Sequence, residues 1–172
     1  MKLVVGLGNP GGKYANTRHN LGFVIIDELV KKLDLGKWTK EDKFKSEIIK
    51  TPEMVLVKPL TYINNSGLAI NLLVSYYKIA PEDIILVHDE LDLPLGKIKV
   101  KSGGGAAGHH GVESVINSLN TDKFTRIRIG IGPAVGPADK FVLEDFNHQE
   151  RPHLKHTVKQ ALKVLNSLLS PI

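Results

Sequence analysis

Short continuous apolar runs alternate along the chain with stretches whose apolar positions recur at helical spacing. Lys2 to Leu7 is an unbroken apolar run closed by glycine, the pattern of a strand buried on both faces of a parallel sheet. After a loop from Gly8 to Asn20, Leu21, Ile25, Ile26, Leu29, Val30 and Leu33 predict a helix, with Gly36 as its stop. Lys37 to Lys45 is polar and reads as an exposed connection anchored by Trp38 and Phe44. Ser46 to Lys50 and Met54 to Lys58 flank Thr51-Pro52-Glu53 as a hairpin, closed by Pro59. A helix is predicted from about Gly67 to Tyr77, with Asn65 or Ser66 expected as its N-cap.

In the second half, Ile84 to Val87 is the most strand-like run and delivers His88-Asp89-Glu90-Leu91-Asp92 ahead of a turn at Leu93-Pro94-Leu95-Gly96. Gly96 to Lys101 alternates strictly, so Ile98 and Val100 are expected to face the core and Lys97, Lys99 and Lys101 the outside. Arg126-Ile127-Arg128-Ile129 repeats the design. Together these positions predict a basic stripe able to engage phosphates, although a charged outer sheet face is the plainer reading. Between them, Ser102 to Gly111 is glycine-rich and precedes a short helix, Val112 to Leu119, whose free N–H groups are expected to cradle an anion. From about 149 to 169 a basic amphipathic helix is predicted, with Arg151, Lys155, Lys159 and Lys163 recurring every four residues, able to clasp nucleic acid. His148, His153 and His156 read as surface residues of that helix.

Composition narrows the classes. The length of 172 residues suits one domain, 1–172, with a substantial core. Absence of cysteine excludes a disulfide framework and a thiolate nucleophile, and fits a reducing cytoplasm. No apolar run is long enough to span a bilayer, and no secretory signal is visible. A formal charge of +5 suits a polyanionic partner, or solubility alone.

The candidate chemistry gathers at strand ends. The loop after the first strand carries Asn9, Tyr14, Arg18, His19 and Asn20, where open α/β sheets place their ligands. Gly6-x-Gly8-x-x-Gly11 matches a dinucleotide fingerprint, yet Pro10 and Gly12 delay the helix, and the same spacing recurs at Gly103, Gly105 and Gly108. His88, Asp89 and Glu90 invite a metal, but adjacent side chains on a strand diverge and no comparable ligand spacing occurs elsewhere. Asp89 more economically orients an imidazole from another loop, while Glu90 and Asp92 fit a solvated acidic turn. One asparagine suffices to cap the helix after Ser66, so Asn64, beside Tyr62, is free for a substrate contact.

Gly6-Leu7-Gly8-Asn9-Pro10-Gly11, Tyr14-x-x-Thr17-Arg18-His19-Asn20, His88 to Asp92 and Arg126 to Gly132 together resemble the bacterial-type peptidyl-tRNA hydrolases, in order from Met1 to about Phe146. The resemblance implies a single α/β globule with a mixed, mostly parallel twisted sheet surrounded by helices. It also implies a monomeric, cytoplasmic, metal-independent enzyme without cofactor that cleaves the ester between a peptide and the 3′ ribose of tRNA. On this reading His19 is the general base, Asp89 holds its ring, and Asn9 and Asn64 contact the peptide and help place the scissile carbonyl, their amides also able to stabilise the oxyanion. Tyr14 and Tyr62 flank the substrate, and Lys97, Lys99, Lys101 and Arg128 bind tRNA phosphates. The residue chemistry agrees: no G-x-S-x-G elbow is present, and an imidazole titrating at about 6.5 can activate water, typically for about 10²–10⁴-fold.

Departures from the resemblance are specific. The glycine-rich loop of the family usually reads Gly-Gly-Gly-His-Gly-Gly-His-Asn-Gly, whereas Ala106, Ala107 and His110 stand here for the first histidine, a glycine and the asparagine. His110 can donate one hydrogen bond to water or substrate, and can also compete as a second base. The terminal helix is expected to grip tRNA over a shorter length. Two other classes remain compatible: a catalytically silent RNA-binding relative of the same fold, and a nucleotide-dependent enzyme resting on the Gly6 motif.

Overall fold

A computed structural model describes residues 1–170; Pro171 and Ile172, the end of the expected 1–172 unit, lie outside the described residues. The first apolar run forms β1 (Lys2–Gly6), and the helical pattern forms α1 (Leu21–Leu33). A short strand β2 (Thr39–Glu41) precedes the hairpin of β3 (Ser46–Lys50) and β4 (Met54–Pro59). α2 (Ser66–Tyr77) leads to β5 (Ile84–Pro94) and β6 (Ile98–Ser102). The chain then completes α3 (His110–Leu119), β7 (Thr125–Gly132), α4 (Ala138–Val142) and α5 (Arg151–Leu169).

Seven strands make one sheet in the order β2-β3-β4-β1-β5-β7-β6. β4, β1, β5 and β7 pair in parallel, and only β3 and β6 run against the common direction. β1 lies in the middle with a parallel neighbour on each side, which explains why Leu3, Val4 and Val5 are all fully buried. Leu21, Ile25, Ile26 and Leu29 of α1 pack with Val4, Val87, Ile127 and the α5 residues Ala161 and Leu165 on one face. Ile70 and Leu73 of α2 pack with Val112 and Val115 of α3, Val5 and Leu86 on the other. Each such buried side chain contributes about 1.5–3 kcal/mol. α1 approaches the sheet closely at Gly22, where a Cβ would lie 2.4 Å from the Val87 carbonyl oxygen, so a side chain there would force helix and sheet apart. α1 and α2 thus leave the carboxyl ends of β1 and β4 on opposite faces, and the space between those ends is the crevice typical of ligand sites in such sheets.

Several expectations need correction. Lys37 to Lys45 is not merely a connection: Thr39–Glu41 pairs with β3, and Phe44 is buried. The polarity of this edge strand, exposed on its open side, hid it. Asn65 does hold the N-cap position of α2, but without a side-chain hydrogen bond, and the Ser66 hydroxyl donates to the Ile63 carbonyl at 2.7 Å. Val100 is 48% exposed, because β6 is the outermost strand and only Ile98 reaches the core packed by α5.

Candidate active site

The loop after β1 is built around Asn9. Asn20 clamps its backbone, donating from Nδ2 to the Asn9 carbonyl at 2.8 Å and accepting from its N–H at 2.9 Å. The Asn9 Oδ1 in turn accepts the Ile63 N–H at 2.8 Å. With its oxygen so engaged, Asn9 has a fixed amide orientation, and its Nδ2 has no partner among the described residues. Tyr62, immediately before Ile63, adopts φ 62° and ψ 150°, a backbone region that side-chain-bearing residues rarely occupy. Arg18 is structural, not reactive: it is buried, paired with Glu150 at 2.7 Å, donates to the Phe141 carbonyl at 2.8 Å and lies 3.8 Å over the Phe141 ring.

Two glycine-containing loops bring an imidazole each to the same carboxylate. His19 Nδ1 lies 2.8 Å from Asp89 Oδ2, and His109 Nε2 lies 2.9 Å from Asp89 Oδ1. His109 Nδ1 also accepts the Gly111 and Val112 N–H groups at 3.1 and 3.2 Å, capping α3. Its Nδ1 is therefore unprotonated, and its Nε2–H is the donor to Asp89. His19 donates to Asp89 through Nδ1–H, and its Nε2 is left without a partner among the described residues. Burial pushes the Asp89 carboxyl up, but His109 and then His19 more than offset this and hold it below the usual carboxylate range. His88, wholly buried, has its pKa lowered to about 3 by desolvation first and by His109 second, so it is neutral at working pH. His19, Asp89 and His109 offer ligand atoms within 4.8 Å of one another, the one such cluster among the described residues. Both contacts to Asp89 are hydrogen bonds in length and both Asp89 oxygens are taken, so the set fits a proton network better than a metal.

Above this network lies a cavity of about 460 Å³ lined by Asn9, Tyr14, His19, Tyr62, Asn64 and His110, with residues of α4 closing one side. Tyr14 and Tyr62 meet edge to face at 6.4 Å. His110 is exposed and 3.8 Å from Glu113. Asn9, Tyr14 and His19 of the first loop thus share one cavity with Tyr62, Asn64 and His110, and Asp89 lies beneath it, while Arg18 and Asn20 do not line it. A larger hollow of about 840 Å³ between α1 and α5 holds lysines over Val24, Val158 and Leu162 but none of these reactive groups, so size does not select the site.

The basic candidates sit at the far sheet edge. Lys99 pairs in register with Arg128, and Lys101 with Arg126, which places all four on one face. Lys97, Lys99 and Lys101 are exposed, with Lys97 in the turn before β6, its N–H donating to the Pro94 carbonyl at 3.0 Å. Arg128 donates to Glu90 Oε1 at 2.9 Å, so Glu90 is a buried ion-pair partner and not a solvated turn residue. Arg126 leaves the expected stripe altogether: it is buried and donates to the Gly104 and Gly105 carbonyls, pinning the glycine-rich loop. Part of the loop expected to offer free amides to an anion is already engaged, while the N–H groups of Gly105 to Gly108 and of His110 have no partner among the described residues. The Gly103 and Gly104 N–H groups bond Phe124 and Asp122, and those of Gly111 and Val112 are taken by His109.

Reasoning from sequence missed His109 and undervalued Asn20. Both had a signal: His109 occupies the N-cap position of the helix after a glycine run, and Asn20 adjoins the candidate base.

Taken together, fold and site define a hydrolase-like α/β protein whose carboxylate-held imidazole faces a polar cavity, with no side-chain nucleophile at its floor. The comparisons specify the kind. A family profile described as peptidyl-tRNA hydrolase matches residues 3–171. The peptidyl-tRNA hydrolase of a Hydrogenobaculum strain is 44% identical over all of this chain and 93% of its own length. That of Aquifex aeolicus is 46% identical over 96% of this chain and 88% of its own. A crystal structure of peptidyl-tRNA hydrolase from Acinetobacter baumannii superposes with a TM-score of 0.90 at 35% identity, covering 98% of this chain and 88% of that one. The chain belongs to the peptidyl-tRNA hydrolase family.

Proposed function

We propose that the chain hydrolyses the ester joining a peptide, or an N-blocked amino acid, to the 3′ ribose of tRNA, with His19 as general base. The observation that carries the assignment is the His19 Nδ1–Asp89 Oδ2 hydrogen bond of 2.8 Å beside an Asn9 amide fixed on the same cavity. Water bound at His19 Nε2 loses a proton to the imidazole and attacks the ester carbonyl. Asp89 stabilises the imidazolium so formed, and Asn9 Nδ2 donates to the developing oxyanion. Collapse of the tetrahedral intermediate expels the ribose 3′ oxygen, which takes the proton back from His19. Asn64, Tyr14, Tyr62 and His110 hold the acyl part and the terminal nucleotide around the carbonyl. Lys97, Lys99, Lys101 and Arg128 meet the tRNA phosphates at the β6–β7 edge, the Arg128 fork oriented by Glu90. Release of free tRNA returns it to translation. A monomer acting in the cytoplasm on the acceptor end fits the compact single sheet, and no helix of the described residues is long and apolar enough to cross a membrane. Relatives that carry the hydrolase name favour this reading over a silent RNA-binding relative.

Release of tRNA from N-acetyl-leucyl-tRNA tests it, comparing wild type with His19→Ala and His110→Ala. A fall of about 10²–10⁴-fold with His19→Ala is expected. Retention in His110→Ala makes His110 a rim contact, and comparable loss makes it part of the reaction. An inactive wild type that still binds tRNA overturns the assignment.

A further inference from the structure

The molecule exposes nine large hydrophobic side chains among its described residues, and four of them, Tyr62, Leu68, Leu72 and Tyr76, lie on α2 or just before it. Leu68, Leu72 and Tyr76 are spaced by four on the outer side of α2, while Ala69, Ile70 and Leu73 face the core. This stripe begins in a second cavity of about 650 Å³, where Pro10, Leu60 and Leu68 stand among Lys40, Asp42, Lys45 and Thr61. That cavity shares Tyr62 and Asn65 with the catalytic one, so the two are continuous around the Tyr62 ring. The strained Tyr62 backbone sets the dividing wall.

The sheet order decides what this surface serves. Its residues belong to the β2-β3-β4 side, Lys99, Lys101 and Arg128 to the opposite β7-β6 edge, and His19 and Asp89 lie between, at β1 and β5. The substrate's two halves diverge from the one ester carbonyl. With the polyanion drawn to the basic edge, the peptide must leave on the other side, where exposed apolar side chains stand among groups of both charges. Resting on the function proposed above, we infer that the second cavity and the outer stripe of α2 form a shallow track for the peptide moiety, taking apolar side chains upstream of the esterified residue. Leu68 to Tyr76 spans about 12 Å of helix, the length of about four residues of extended chain. Tyr76 is also approached by Lys43 at 4.6 Å from its ring centre, which gives the far end of the track a cation for an acidic or carbonyl group. A shallow, open track favours bulk over identity, so it suits substrates of varied sequence.

The test compares kcat/KM on N-acetyl-leucyl-tRNA with that on an N-acetylated, leucine-rich pentapeptidyl-tRNA. Wild type is expected to favour the longer substrate about five- to tenfold, the scale of partly burying one or two apolar side chains. Leu68→Asp with Leu72→Asp, both at exposed positions, removes that preference while the rate on the short substrate stays unchanged; Leu68→Met keeps the preference. Lys99→Ala lowers both substrates alike. No length preference in wild type, or its survival in the double variant, overturns the track. Equal loss on both substrates in the double variant also overturns it, assigning this face to tRNA. A wild type inactive on the short substrate overturns the hydrolase reading and the track with it.

Discussion

Asp89 receives one imidazole from each of two loops, and the two loops use theirs differently. The loop from Gly8 to Asn20 holds its backbone through the Asn20 clamp and through Arg18, so His19 is positioned by its neighbours and spends only Nδ1 on Asp89. The loop from Ser102 to His109 is pinned by Arg126, but His109 itself ties the loop to α3 and spends both nitrogens, one on the helix cap and one on Asp89. Near-equal distances to the carboxylate therefore do not mean equal roles. On the function proposed above, the reactive imidazole is the one whose positioning is delegated to other residues, because only that leaves a nitrogen for water.

Asp89→Asn is the harshest test of this asymmetry. An amide offers one acceptor and one donor where two N–H groups arrive, so one histidine must change tautomer or lose its bond. A fall in kcat of about 10⁴-fold is expected, with tRNA affinity retained, measured by ester release and filter binding. His109→Ala should separate the two rings. It removes the acceptor for Gly111 and Val112, lowering stability by about 0.5–2 kcal/mol in urea unfolding, while activity drops by less than about 10²-fold because the His19–Asp89 bond persists. A loss equal to that of His19→Ala would dissolve the distinction. The smallest effect on activity, though not on stability at low pH, concerns His88, which stands behind His109, with ring centres 4.8 Å apart. Its native pKa of about 3 lies below the unfolded value, so between about pH 6.5 and 3 the unfolded chain binds the extra proton and stability falls with pH. The slope from this group is at most about 1.4 kcal/mol per pH unit. Below about pH 4 the depressed Asp89 adds a second loss, because the unfolded carboxylate then takes up a proton that the native one does not. His88→Asn should flatten the stability profile between pH 6 and 4.5 while leaving the steeper fall below it.

Much of this was legible from local pattern. β1, α1 and the β3–β4 hairpin follow their apolar spacing closely, because each buries one well-defined face or both. The site loop was legible too, since a polar, glycine-broken stretch after a buried strand has few other uses. What failed depended on neighbours in the sheet. Val100 alternates properly but has no layer to cover it, and Arg126 alternates properly but turns to carbonyls supplied by a loop twenty residues away in sequence. Glu90 looked like a turn residue until Arg128 arrived beside it on β7. β5 itself continues to Pro94, well past the apolar run, because β7 pairs with it through His88, Asp89 and Glu90. Periodicity reports which side a residue faces, and only topology reports what waits there.

The anchorage of Arg18 has a temporal side. The Arg18 guanidinium closes on Phe141 and Glu150, the Arg18 N–H on the Glu144 carbonyl, and the Asn16 carbonyl on the Phe146 N–H. The segment holding His19 is thus anchored by groups 123 and 132 residues further along the chain. During synthesis the loop of the proposed base stays unmoored until the segment from Phe141 to Glu150 has been made, so its geometry is set by a part of the chain that emerges after it.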